Sequence, residues 1–175
     1  MTILLVKMIK KSFVLYFFLL ISGASFGQKE IYQGLFLYQF SKYVKWPDSY
    51  NTGSFTIGIV GNEDAFNSIN GMAKTKKETQ GMPIVVESYT STSQIQSPHI
   101  IFIDQENSDK LNMVINQVKN KPVLIVTEKP GLAEKGSTIN FVETEGKMRF
   151  ELNLEKAKSS GLMISSSLTS LAILI

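Results

Sequence analysis

The sequence predicts an α/β fold: a single three-layer domain with a mainly parallel sheet of about six strands, a helix ahead of the first strand and an antiparallel hairpin near the C-terminus. Three observations predict it. Phe55–Val60, His99–Ile103 and Val123–Val126 are short, nearly continuous apolar runs, the composition of strands covered on both faces. Segments with helical spacing alternate with these runs, which is the order of β-α units. Near the end, Thr138–Val142 and Lys147–Leu152 are separated only by Glu143-Thr-Glu-Gly146, a gap of hairpin length closing on glycine. With 175 residues, the chain is long enough for one core without staples.

The stretch from Ile31 to Pro47 opens the fold. Ile31, Tyr32, Leu35, Phe36, Leu37, Phe40, Tyr43, Val44 and Trp46 recur at spacings of three and four, so a helix is predicted through Trp46, stopped by Pro47. Its apolar arc is wider than the roughly 100° stripe that covers one sheet face, which leaves apolar surface over. Asp48–Ser54 is a polar loop, Phe55–Val60 the first strand, and Ala65, Phe66, Ile69 and Met72 give helical spacing to Glu63–Met72. Lys74–Gly81 is a connecting loop, Pro83–Glu87 the second strand, and Ser91–Ser97 a polar linker with room for one turn. His99–Ile103 is the third strand. Leu111, Val114, Ile115 and Val118 place a helix after Ser108, closed before Pro122, and Val123–Val126 is the fourth strand. After the hairpin, Asn153 caps a short helix ended by Gly161, and Ser165 or Ser166 caps a final apolar helix, Leu168–Ile175.

The first residues read as an export signal. Lys7, Lys10 and Lys11 precede an apolar run, Phe13–Ile21, followed by small residues up to Gly27. That run is well short of the roughly 20 residues that span a bilayer, so residues 1–27 are expected to be a cleaved signal peptide and 28–175 the mature domain. The mature protein would then be periplasmic and not inserted in the membrane. Leaving out residues 1–27 removes three of the 18 basic residues and none of the 15 acidic ones, so the two counts become equal. The basic excess of the whole chain is therefore no footprint for nucleic acid, and Arg149, the only arginine, adds none. Cysteine is absent, which excludes disulfides and an acylated N-terminal cysteine.

Catalytic chemistry finds few residues to work with. The single histidine, His99, opens a core strand directly after Pro98, and one His without Cys cannot build a tetrahedral zinc site. No glycine-rich phosphate loop follows a strand. No enzyme activity, cofactor or metal is therefore expected. One constellation is kept: ligands of doubly wound sheets bind at strand carboxyl ends, which here carry Asn62, Asp64, Asp104 and Thr127. The acidic pair Glu63 and Asp64, with Asp104 and Thr127, also resembles a response-regulator receiver site, although the preceding helix and the export signal oppose that reading.

Phe36, Phe40, Tyr43, Val44, Trp46 and Pro47, followed by Phe55–Gly61, resemble the opening of the YfiR family of small exported bacterial proteins. Gly136–Val142, Met148-Arg-Phe-Glu-Leu-Asn153 and Gly161–Leu168 resemble its closing segments. The resemblance implies a non-enzymatic periplasmic regulator that contacts the outer part of an inner-membrane signalling protein, a diguanylate cyclase or, equally, a sensor kinase; a homodimer stays open. The rival expectation is a periplasmic small-molecule-binding protein using the strand-end crevice. Surplus apolar surface on the opening helix places the partner contact at Tyr43, Lys45, Trp46 and Pro47. Arg149, Phe150 and Asn153, within the family-like run, are assigned to structure.

Overall fold

The computed structural model describes residues 26–175. The expected signal peptide, residues 1–27, lies outside the described residues except for its last two, with which helix α1 (Phe26–Tyr43) begins. The chain continues through β1 (Val44–Lys45), β2 (Phe55–Val60), α2 (Glu63–Lys76), β3 (Glu78–Thr79), β4 (Met82–Ser88), β5 (Ile100–Ile103), α3 (Leu111–Gln117) and β6 (Leu124–Thr127). It closes with β7 (Ile139–Thr144), β8 (Lys147–Leu152), α4 (Leu154–Ser159), β9 (Met163–Ile164), α5 (Ser166–Thr169) and β10 (Ile173–Leu174).

The main sheet has eight strands in the order β10-β8-β7-β6-β5-β2-β4-β3. β4, β2, β5, β6 and β7 run parallel, and β8 returns antiparallel to β7. The expected six strands are all present; β3 and β10 are two-residue additions at the two edges. Side chains of the apolar runs alternate between two cores. Ile57, Ile59, Ile100, Phe102, Leu124 and Val126 join one cluster with Leu37 and Phe40 of α1 and Ile69 of α2. Ile101, Ile103 and Ile125 join a second with Leu111 and Val114 of α3. Two cores on opposite faces of one sheet make the three layers, and they explain why these strands are apolar throughout. The hairpin between β7 and β8 pairs Thr144 with Lys147 across Glu145 and Gly146, whose φ angles are 54° and 70°. Positive φ at both central residues is what a two-residue turn needs to match strand twist, and glycine takes it without strain.

Two elements differ from expectation. α1 stops at Tyr43, and Val44–Lys45 is a strand paired antiparallel with β9, Val44 facing Ile164 and Lys45 facing Met163. The tertiary partner decides this: the Gln80 side-chain amide donates to the carbonyls of Ser41 at 2.6 Å and Val44 at 3.0 Å, satisfying groups that a further turn would have used. The final helix Leu168–Ile175 is also replaced, by the single turn of α5 and by β10. Ile173 and Leu174 pair with Glu151 and Leu152, so the free edge of β8 takes a stretch whose local pattern also suits a helix.

His99 sits where the sheet meets the loop after β1. Its ring is 4% exposed and stacked on Phe55 with centroids 4.4 Å apart. Nδ1 accepts from the Thr56 N–H at 3.1 Å, so the neutral ring carries its proton on Nε2 and donates to the Tyr50 carbonyl at 3.0 Å. Burial holds the histidine below its ordinary value of 6.5, against the smaller raising effect of the Tyr50 bond. The neutral form is therefore favoured by folding. Its contribution to stability is complete above pH 6.5 and is lost as pH falls below that value through the lowered folded-state pKa. Urea midpoints measured from pH 8 down to pH 5 should fall across this window, and the fall should be smaller in His99→Gln.

Candidate functional site

The parallel strands leave a crevice where the chain changes direction. From β2 it moves outward to β4, then crosses back to β5 on the other side, so the loops after β2 and β5 diverge at their carboxyl ends. A hollow of about 730 Å³ lies there, between these loops and the first turns of α1. Asn62, Asp64 and Asp104 line it, with Lys29, Glu30 and Glu128. Asn62 caps α2, its Oδ1 accepting from the Ala65 N–H at 3.0 Å. Glu63 and Asp64 occupy the first turn of that helix, where its dipole favours negative charge.

Asp104 is 3% exposed and both of its oxygens are engaged. Oδ2 accepts from the Asn62 N–H at 2.7 Å, and Oδ1 accepts from the Asn107 N–H and side-chain amide, each at 2.8 Å. A phospho-acceptor aspartate must offer an oxygen to its donor, whereas this carboxylate is the bracket that joins the loops after β2 and β5. Asp104 thus sets a carboxylate beside the N-cap of α2 from within the chain. Thr127 does not line the crevice. It is fully buried, its hydroxyl bonded to Asn140 Oδ1 at 2.7 Å and 2.9 Å from Ser137 Oγ. The residue from this strand end that reaches the crevice is the next one, Glu128.

Glu128 was not singled out by sequence reasoning, although it sits one position beyond Thr127. Its Oε1 accepts from the Gln105 N–H at 2.8 Å, and its Oε2 takes both the Gln33 side-chain amide and the Lys29 ammonium. Gln33 is 2% exposed on the inner side of α1, where a buried side-chain amide requires a polar partner, and only the fold reveals that it is buried there.

The expected partner contact divides. Tyr43, Lys45 and Pro47 are exposed, but Trp46 is 3% exposed and packs edge-on against Phe55 at 5.1 Å and against His99 at 5.7 Å. Trp46 is a core residue because β1 is held between α1 and β9, which turns its neighbour inward beneath the loop 48–54. The exposed apolar surface of α1 lies nearer its start instead: Ile31, Tyr32 and Leu35 are 58%, 55% and 41% exposed, and Tyr43 continues the line at 38%. Ile31 and Leu35 also border a hollow of about 400 Å³ between α1 and α2, floored by Met72.

In the family-like run, Phe150 is buried against Phe36 and Phe40 and Arg149 is exposed opposite Val142. Arg149 makes no ion pair or side-chain hydrogen bond among the described residues. Asn153 does cap α4, its Oδ1 accepting from the Lys156 N–H at 2.8 Å while its amide donates to the Ala133 carbonyl at 3.2 Å. Asn153→Ala should cost about 0.5–2 kcal/mol, read as a lower melting temperature with partner binding unaltered.

Among the described residues no group of three His, Cys, Asp or Glu side chains is set to hold a metal ion, and no helix is long and apolar enough to cross a membrane. No curated protein matches the chain. The model of the YfiR/HmsC-like family matches residues 32–173. Proteins of that family are in general periplasmic regulators of a diguanylate cyclase in the inner membrane, and are regulatory proteins rather than enzymes. The match runs from the first turns of α1 to the first residue of β10 and takes in all the other strands of the sheet, and on that extent the chain belongs to the YfiR/HmsC-like family.

Proposed function

We propose that this protein is a non-enzymatic periplasmic regulator that docks on the periplasmic part of an inner-membrane signalling protein, a diguanylate cyclase or a sensor kinase, and thereby changes its output. The observation that carries the reading is the apolar line Ile31, Tyr32, Leu35 and Tyr43 along the outer side of α1. A helix whose inner side already fills the core has no fold-related use for a second apolar side, and aromatic side chains at such a place are those that most often dominate binding energy. Lys45 and Pro47 extend the surface at the helix exit.

Photo-crosslinking in cells tests it. A crosslinker at Leu35 or Tyr43 should capture a membrane protein with a cyclase or kinase output domain, while one at Met113, 50% exposed on α3, should not. Tyr43→Ala should weaken binding of the captured protein by about 2 kcal/mol or more. Equal capture from Met113 would refute the assignment of the surface. A second reading, a periplasmic small-molecule-binding protein, is favoured by the 730 Å³ hollow at the strand ends, within the usual size for ligand sites. Ligand-detected NMR separates the two: saturable binding lost in Asp64→Asn, with no membrane protein captured from α1, would select the second.

A further inference from the structure

We propose that residues 29–35 of α1 form a strap held on the sheet by one latch, Glu128, and that the strap opens locally while the rest of the helix stays packed. The apolar side chains of this segment, Ile31, Tyr32 and Leu35, are about half exposed and none joins either core, so it contributes no buried apolar side chain to them. Its buried members are Gln33 and Gly34. Core anchoring begins only at Phe36 and Leu37 and continues through Phe40 and Val44. Segments with few buried apolar contacts open at low free energy, well below global unfolding.

The polar bonds that hold the strap converge on a single carboxylate. Glu128, its side chain 7% exposed, takes Gln33 and Lys29 on one oxygen and the Gln105 N–H on the other, so it ties α1 to the loops after β5 and β6 at once. Hollows of about 730 and 670 Å³ lie on the two sides of this tie, and both have Lys29, Gln105 and Glu128 in their walls. The ground beneath the strap is therefore open on either side of the latch, and releasing it would join the two hollows. Besides the latch, the strap has one packed backbone contact, at its end: a Cβ on Gly34 would lie 3.4 Å from Met72 Cβ, so Gly34 rests against α2 and the hinge falls at this contact. On the docking reading above, and only on it, Glu128 then positions Ile31, Tyr32 and Leu35 for the partner and makes their presentation switchable.

Hydrogen exchange read by mass spectrometry on the purified protein tests the latch without any partner. In the wild type, amides of residues 29–35 should exchange at least a hundredfold faster than those of 37–43. Glu128→Ala should speed the first group by a further tenfold or more and leave the second group, β2 and β5 unchanged. Because that variant also frees the Gln105 N–H, the pair Lys29→Ala and Gln33→Met serves as the second test, with the loop bond intact and the same acceleration expected. Equal protection along the whole of α1 in the wild type, or an acceleration that spreads over the sheet, would overturn the proposal. If exchange behaves as expected but no crosslink forms from Leu35, the strap stands and the docking reading falls.

Discussion

Truncation of Trp46 to alanine is expected to destabilise the protein by about 3–5 kcal/mol, the range for removing a large buried aromatic side chain. Against a total stability of roughly 5–15 kcal/mol for a domain, that removes a large part of the margin. The indole is 3% exposed and closes the end of the first core, standing at right angles to Phe55. It also shields the ring of His99, so a cavity here admits water to the bonds that link Thr56 and Tyr50 to that histidine. The indole N–H meets no acceptor among the described residues, which makes the phenylalanine variant the informative control. Trp46→Phe keeps much of the volume and gives up only an unpaired donor, so it should cost far less than alanine. Urea denaturation at fixed pH gives both differences. In the wild type, tryptophan emission should be blue-shifted and protected from a soluble quencher; red-shifted, quenchable emission would mean that the side chain is exposed.

A loss of similar size is expected at Phe40. Its side chain is fully buried, with ring centroids 5.1 Å from Phe150, 5.8 Å from Phe141 and 6.0 Å from Phe36. This cluster is the main apolar joint between α1 and the β7–β8 hairpin, and Phe40 is at its centre. Phe40→Ala should cost about 3–5 kcal/mol, and a double-mutant cycle with Phe150 should return a coupling of about 0.5–1.5 kcal/mol for the ring pair itself. The change should also free the rear part of α1, so that residues 37–43 lose protection in hydrogen exchange together with the strap. That outcome differs from Glu128→Ala, which should release the strap alone. A coupling near zero would mean that the two rings are held by the surrounding core and not by each other.

The sequence by itself determined the layered α/β architecture, the parallel strands, the closing hairpin and the helix ahead of them, because each rests on local information. Short Ile- and Val-rich runs bounded by turn residues read as strands covered on both faces, and Glu145-Gly146 can take the backbone angles of a tight turn. Asn153 and Ser165 acted as caps for the same reason, since a cap is satisfied by an N–H three residues away. The surplus of apolar surface on α1 was legible too, as a count of side chains around one helix.

Which of those side chains face outward was decided only in three dimensions. α1 packs at once on the sheet and on α2, and the position of Gly34 against Met72 sets its rotation, leaving Ile31, Tyr32 and Leu35 outside, while the pairing of Val44 and Lys45 with β9 turns Trp46 in. Thr127 and Glu128 show the same limit at the crevice. Adjacent residues at a strand end point in opposite directions, and register with β7 sends Thr127 toward Asn140 while Glu128 turns to α1. The last residues were ambiguous between helix and strand until β8 offered an unpaired edge, whose hydrogen bonds outweighed the helical spacing of Leu168–Ile175. Local pattern determines an element when its bonds close within the element; where they close on a distant part of the chain, only the tertiary structure decides.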